Sequence, residues 1–253
     1  MIKGVKCLRR AILKTSYLAR ACHIGSALSC VDVLRVILKK KRRKDYFVFS
    51  KASGVAALYV LTTNNPVKFL KKYPLPDKRV PGVTHSVGSL GHGLPVAVGL
   101  ALANKERNVY CLMSDGEMQE GTTWESLLFA SHHCLNNLII IIDRNRLQAC
   151  GETEKILKLE PLIDKLKAFG VAVTEVDGHD RKDLKRMARS IPLKKGKPTV
   201  VIANTIKGKG VDFMENAVGW HYYNLTLETG ANAILQNPLG NSGKRQKGNF
   251  TRR

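Results

Sequence analysis

Two turns in this sequence place oxygen-bearing residues just beyond apolar runs. Ser114-Asp115-Gly116-Glu117-Met118-Gln119-Glu120-Gly121 follows residues 109–113, and Asp143-Arg144-Asn145-Arg146-Leu147 follows residues 138–142. Asn145 stands thirty residues after Asp115. If the two runs are neighbouring strands, the Asp115 carboxylate and the Asn145 amide oxygen point into one crevice. A backbone carbonyl, such as that of Leu147, would add a third oxygen. Three hard oxygens with open positions suit Mg²⁺ or Ca²⁺ holding a diphosphate. Gly116 would let backbone N–H groups approach phosphate closely, and the positive end of the next helix would add to the attraction. Taken alone, Ser114-Asp115-Gly116 is ordinary turn chemistry, and so is Asn145. The pair at this spacing, each member after a buried strand, is far more specific.

The elements that must position these turns follow from periodicity. Val5, Leu8, Ile12, Leu13, Tyr17 and Leu18 recur at helical spacing over 5–22. Val33, Leu34, Ile37 and Leu38 do so over 32–40, with Ser29 as the expected cap. Residues 46–49 form a short strand ending at Ser50, 55–61 a helix, and 66–81 a polar connection punctuated by proline. From residue 88 a Gly-rich turn leads into alternation: helix 94–104, strand 109–113, helix 123–134, strand 138–142, helix 162–169, strand 171–176, helix 181–190, strand 199–205. Strands without polar alternation are covered on both faces, which predicts a parallel sheet. The strand–helix order predicts a doubly wound α/β fold with helices on both faces. The expected division is one domain over 1–228 and a basic, flexible tail over 229–253.

Composition narrows the function classes. The 253 residues carry 42 Lys+Arg against 20 Asp+Glu, a net charge of +22. A hydrophobic fraction of 44% supports a sizeable core and argues against wholesale disorder. The basic excess lies in blocks at 39–44, 194–197 and 244–253. Aromatics, at 6%, do not interleave with these blocks, so no base-stacking platform is visible. Solvated basic faces, an acidic protein partner and weak RNA association all remain open. The six cysteines include no Cys-x-x-Cys pair, so they read as reduced, mostly buried thiols rather than a zinc knuckle or disulfide framework. No apolar run approaches the roughly 18 residues that span a bilayer. The expected location is cytoplasmic.

Beyond the two turns, a series of segments resembles the N-terminal, diphosphate-binding domain of transketolase in its separately encoded, small-subunit form. They are Cys22-His23-Ile24-Gly25-Ser26, Gly88-Ser89-Leu90-Gly91-His92-Gly93-Leu94, Asp115 to Gly121, Trp124-Glu125, Asp143-Arg144-Asn145, Val176-Asp177-Gly178-His179-Asp180, Lys197-Pro198-Thr199, Lys207-Gly208-Lys209-Gly210, Phe213-Met214-Glu215-Asn216 and Trp220-His221. The resemblance implies thiamine diphosphate and Mg²⁺ (or Ca²⁺) as cofactors, and transfer of a two-carbon ketol unit between sugar phosphates. It also implies a separate C-terminal, pyrimidine-binding subunit, two of each per assembly. Carried over residue by residue, Asp115, Asn145 and the Leu147 carbonyl are metal ligands. The backbone at Ser114, Gly116 and Glu117 meets the diphosphate. Gly88, Leu90 and Gly91 hold the aminopyrimidine edge, and Ile206 lies near the thiazolium. His23 and His221 face the reacting carbon or the diphosphate. Glu120 is a carboxylate linking two cofactor sites at the subunit interface, with Glu125 similar. His132, His133 and His179 carry no role over and read as structural or exposed.

The sequence also departs from that pattern. Where the family reads Ser-Lys-Gly-His-Ala, this chain has Ser50-Lys51-Ala52-Ser53-Gly54. The family's Gly-His-Pro segment is missing, since residues 71–80 contain no histidine and His85 lies elsewhere. Ser114 replaces a glycine, and Tyr222 stands where a glycine usually follows Trp-His. General acid–base catalysis is typically worth about 10²–10⁴-fold, and a serine cannot titrate near neutral pH. In the family, the glutamate that activates the pyrimidine ring lies in the following domain, so a partner is expected to supply it. The leading reading is half of a heteromeric transketolase. The alternatives are a related ketose synthase subunit, and a non-catalytic homologue that binds cofactor, partner or RNA.

Overall fold

The computed structural model describes residues 4–236. Leu8, Ile12 and Leu13 form the buried stripe of α1 (Val5–Ala19). α2 (Ile24–Lys40) begins well before the expected start at residue 32, so Ser29 is not its cap. Ser29 is buried in mid-helix, where its hydroxyl donates to Asp143 Oδ2 at 2.7 Å. A serine with such a partner is satisfied without ending the helix. β1 (Tyr46–Phe49) leads to α3 (Val55–Thr62) and α4 (Pro66–Lys72). α4 falls within the expected polar connection. Its start carries an Asn65 cap that accepts from the Lys68 N–H, with Pro66 in the first turn, a pattern that opens a helix as readily as it marks a loop.

The remaining elements are α5 (Gly93–Ala103), β2 (Val109–Ser114), α6 (Gly121–His132), β3 (Leu138–Arg144), α7 (Thr153–Ile156), α8 (Leu162–Ala168), β4 (Ala172–Asp177), α9 (Arg181–Ser190), β5 (Thr199–Asn204) and α10 (Leu227–Leu235). All strand pairs are parallel, in the order β1-β2-β3-β5-β4. Ile139 and Ile141 face the layer that contains α1, α2, α3 and α9, while Leu138, Ile140 and Ile142 face α5, α6 and α8. Both faces of the central strands are therefore apolar, and the expected doubly wound α/β architecture holds. β4 differs from the expectation of strands covered on both faces. It is one of the two sheet edges, and only Val176 along it is buried.

α10 crosses the expected domain boundary at 228/229. Thr226 and Thr229 cap it reciprocally, Ala233 is fully buried, and a Cβ at Gly230 would touch the Tyr17 ring at 3.4 Å. Small residues thus dock this helix on α1, so the ordered unit continues past residue 228. The rest of the expected tail, 237–253, lies outside the described residues. All six cysteines are free, as expected, but only Cys30 and Cys111 are buried. Cys134 and Cys150 are exposed because they fall in turns. Among the described residues no helix is long and apolar enough to cross a membrane.

Candidate cofactor site

β2 and β3 are neighbours, with Ser114 opposite Asp143. Asp115 and Asn145 therefore lie at adjacent carboxyl ends of parallel strands, where open α/β sheets bind ligands. Both are buried. The turn after β3 folds onto Asp115. Arg146 N–H donates to Asp115 Oδ2 at 2.6 Å, Gly116 N–H to Oδ1 at 3.0 Å, and Arg144 Nη1 pairs with Oδ2 at 3.3 Å. Arg144 also holds Glu154 and Glu160, at 2.8 and 3.0 Å. Asn145 Oδ1 accepts from Leu147 N–H at 3.0 Å, and its Nδ2 donates to Ser29 Oγ and Asp143 Oδ2, both at 3.2 Å. The three expected oxygen donors thus come from one closed turn and the strand end it covers. Among the described residues, no group of three or more His, Cys, Asp or Glu could hold a metal. The candidate donor set is instead one carboxylate, one amide and one carbonyl, the chemistry that hard divalent cations prefer.

Two lysines without an assigned role from sequence stand beside this turn. Lys207 is fully buried, and its ammonium donates to the carbonyls of Leu147 (3.4 Å) and Gln148 (3.2 Å) and to His221 Nδ1 (2.9 Å). No carboxylate pairs with it among the described residues. Burial, followed by the Lys51 charge, lowers its pKa to about 8. Lys51 is also buried and pairs with Asp143 Oδ2 at 3.0 Å. Burial works to lower the Lys51 pKa, but the neighbouring groups, Asp143 foremost, outweigh it and raise the value. Asp143 further accepts from Ser29 Oγ and from Thr205 Oγ1 (2.6 Å). One strand-ending aspartate therefore joins α2, the end of β1 and the end of β5 behind the site. The only sequence signal for these residues is a charged group closing an apolar strand and a lysine among buried neighbours. Neither signal names a partner.

The two expected histidines do meet. His23 precedes α2 at φ 64°, and its N–H donates to the His221 carbonyl at 3.0 Å. The rings stand edge to face, 4.9 Å between centroids at 84°. Burial, then Lys207, then His23 push the His221 pKa down to about 3. Burial, then Lys207 and Lys51, also lower that of His23. His221 is thus neutral at physiological pH. Its Nδ1 accepts from Lys207, which leaves the ring proton on Nε2. Tyr222, the residue in place of the family glycine, lies 4.9 Å from the His221 ring and 5.9 Å from His23.

The other expected residues are spread around this centre. Ser114 donates to Glu117 Oε2 through its N–H (2.7 Å) and hydroxyl (2.9 Å), and the Ser50 hydroxyl donates to Oε1. The buried Glu117 carboxylate therefore ties the end of β1 to the end of β2, and burial raises its pKa. Gly88 and Leu90 are exposed on the loop before α5. Gly91 on the same loop adopts φ 73°, and a Cβ there would lie 2.5 Å from Thr122 Oγ1 and 2.7 Å from Glu120 Cβ. Only glycine lets this loop press on Glu120. Glu120 is half-buried, whereas Glu125 and His132 are exposed and His133 is partly so. Ile206 donates its N–H to His179 Nε2 at 2.9 Å, and His179 Nδ1 bonds Asp32 Oδ2 at 2.8 Å. His179 is a strut under Ile206, in keeping with a structural reading.

A family profile described as "Transketolase, thiamine diphosphate binding domain" matches residues 3–234. The chain belongs to this family. The transketolase domain is 37% identical over 255 residues to an apulose-4-phosphate transketolase subunit of Phocaeicola vulgatus, covering 90% of each chain. It is 39% identical over 247 residues to the protein of the same name from Actinobacillus succinogenes, covering 87% of this chain and 89% of the other. It is 33% identical over 240 residues to a 6-deoxy-6-sulfo-D-fructose transketolase subunit of a Clostridium species, covering 85% and 87%. Among solved structures, the transketolase of Campylobacter jejuni superposes with a TM-score of 0.81 at 26% identity. That match covers 92% of this chain and 41% of the other, so the domain spans about two-fifths of that transketolase. The transketolase of Leishmania mexicana, at 24% identity and a TM-score of 0.83, shares the fold.

Proposed function

We propose that this transketolase domain is the diphosphate-binding subunit of a two-subunit enzyme that transfers a two-carbon ketol unit from a ketose donor. The observation that carries the reading is the closed turn itself. Arg146 N–H of that turn binds Asp115, Leu147 N–H binds Asn145, and the buried Lys207 ammonium, which has no carboxylate partner among the described residues, donates to the Leu147 carbonyl, within a fold whose family binds thiamine diphosphate. A buried cation without a carboxylate partner is costly unless an anion meets it, and a diphosphate is such an anion. Asp115, Asn145 and Leu147 would hold a divalent cation, Mg²⁺ or Ca²⁺. Lys207 and the backbone at Gly116 and Glu117 would take the diphosphate. Bound thiamine diphosphate supplies a stabilised carbanion equivalent for carbon–carbon bond cleavage. His221, held neutral with its proton on Nε2, can donate a hydrogen bond to a developing oxyanion. His23, held against it, fixes the ring plane.

The first two relatives are each named as one subunit of their transketolase, which supports a heteromeric assembly with a C-terminal, pyrimidine-binding partner. A two-plus-two stoichiometry and a cytoplasmic location belong to the same proposal. The names of those relatives also favour an unusual ketose over the common sugar phosphates, which agrees with Ser53 standing in for a family histidine. Co-expression with a transketolase C-terminal subunit, followed by assays with xylulose 5-phosphate, apulose 4-phosphate and 6-deoxy-6-sulfofructose, tests this. Turnover of at least one donor is expected, and a well-loaded complex inactive on ketoses of every class would leave only the non-catalytic reading.

Ser53 lies in the short 3-10 turn Ala52–Gly54 and is partly exposed. Ser53→His in the assembled complex is expected to raise turnover of xylulose 5-phosphate by about tenfold or more. Thiamine diphosphate affinity should stay within about twofold, because the diphosphate contacts come from elsewhere. Unchanged turnover across all donors, with cofactor bound, would show that the position does not face the donor.

A further inference from the structure

α2 and α9 border a cavity of about 600 Å³ whose walls do not include the turn after β3. Arg35, Lys39 and Lys40 reach it from α2, and Arg181, Lys185 and Arg189 reach it from α9. Its one carboxylate, Asp32, is engaged at Oδ2 by the Arg9 guanidinium and by His179, while its buried Oδ1 has no hydrogen-bond partner. Among the described residues, no carboxylate pairs with Lys39, Lys40, Arg181, Lys185 or Arg189. Basic groups gathered around one concavity repel one another, and the concavity focuses their field on any anion that enters. Between these charged groups, Val36, Leu184 and Ala188 give the wall an apolar strip.

This combination separates the site from a plain solvated basic face. A convex charged surface has neither an apolar strip nor a concave volume. A single-strand nucleic-acid track requires aromatic platforms repeated along a groove, and the lining residues include no Phe, Tyr or Trp and a single ring, His179, which is tied to Asp32 and Ile206. A volume near 600 Å³ lies within the usual range for small-molecule sites, which combine apolar walls with a few charged groups. Inorganic phosphate alone would leave the apolar strip unused. We propose that this cavity is a second ligand site, for a nucleoside polyphosphate, with phosphates on the α2 and α9 cations and the organic head against Val36, Leu184 and Ala188. The floor of the site is tied to the cofactor loop at two points. His179 holds the Ile206 N–H, and Arg9 Nε donates to the Lys209 carbonyl at 2.9 Å.

Isothermal titration of the full chain with ATP, inorganic tripolyphosphate and oligouridylates of increasing length tests the assignment. ATP is expected to bind at least tenfold more tightly than tripolyphosphate. The double variant Lys185→Glu, Arg189→Glu should weaken ATP binding at least tenfold. Both positions are exposed on α9, and an unchanged melting temperature verifies folding. Lys207→Met, at the cofactor site, should leave ATP affinity within twofold. Equal affinities for ATP and tripolyphosphate would overturn the proposal. So would loss of ATP binding in Lys207→Met with retention in the charge-reversed variant, which would place the ligand at the diphosphate site. Oligouridylate binding that exceeds ATP and grows with length would instead make this face a nucleic-acid surface.

Discussion

Asp115→Ala is expected to weaken metal-dependent binding of thiamine diphosphate by at least about a hundredfold while the domain remains folded. Of the three candidate ligand oxygens, only this one carries a full negative charge, and hard divalent cations depend on it. The same carboxylate orders the turn after β3 through the Arg146 N–H and its own turn after β2 through the Gly116 N–H. Its removal therefore loosens Asn145 and Leu147 as well, which adds to the loss. The cost in stability is bounded. Arg144 keeps Glu154 and Glu160, so no guanidinium is left buried alone. Two N–H groups lose an acceptor, at about 1–3 kcal/mol each if water does not reach them. Asp115→Asn separates the two effects, because its amide oxygen still accepts from Arg146 while the charge is gone. Titration calorimetry with thiamine diphosphate and Mg²⁺, beside thermal melts, reads both. Wild-type affinity in Asp115→Ala would remove this residue from the proposed metal-ligand set.

Lys207→Met should move stability and affinity in opposite directions. The ammonium is buried against two carbonyls and a neutral histidine, with no carboxylate partner. Burial lowers its pKa from 10.5 to about 8, so the folded state disfavours the charged form. The penalty is complete below pH 8. Between about pH 8 and 10.5 the unfolded chain binds more protons, and wild-type stability rises with pH. Met fills a similar volume without the charge. The variant should thus melt higher than wild type at pH 7, by an amount on the order of a few kcal/mol of stability, and the gain should fade toward pH 10.5. Thiamine diphosphate affinity should fall by at least about tenfold, the size of one lost charge-assisted contact. A variant that melts lower at pH 7 and binds the cofactor normally would make Lys207 a structural residue.

The large-scale order of the fold is legible in the sequence because β2, β3 and β5 are buried on both faces and so read as unbroken apolar runs. α9 matches its expected bounds because its apolar stripe is narrow and Asp180 caps it plainly through the Lys182 and Asp183 N–H groups. α4 reads as connection because Asn65-Pro66 signals a helix start and a loop alike. The start of α2 is misplaced because Ser29 looks like a cap in sequence. In space it is a buried donor to Asp143, a residue 114 positions away in the chain. Most of α10 falls in the expected tail because the 228/229 boundary cuts the short Leu227–Leu235 stretch, whose capping box and contact with Tyr17 emerge only from the three-dimensional structure.

The sequence by itself determined the pair of turns, Asp115 and Asn145, and the family to which they belong, since a motif after a buried strand needs only local order to be read. It could not show that Lys51, Ser29, Thr205 and Asn145 all converge on Asp143, or that Lys207 faces Leu147 and His221. Those contacts join residues from different strands and loops, and only the parallel stacking of β1, β2, β3 and β5 brings their carboxyl ends to one place. Burial there removes water, and that is why a serine, an aspartate and two lysines, unremarkable along the chain, become the groups that set charge and shape at the site.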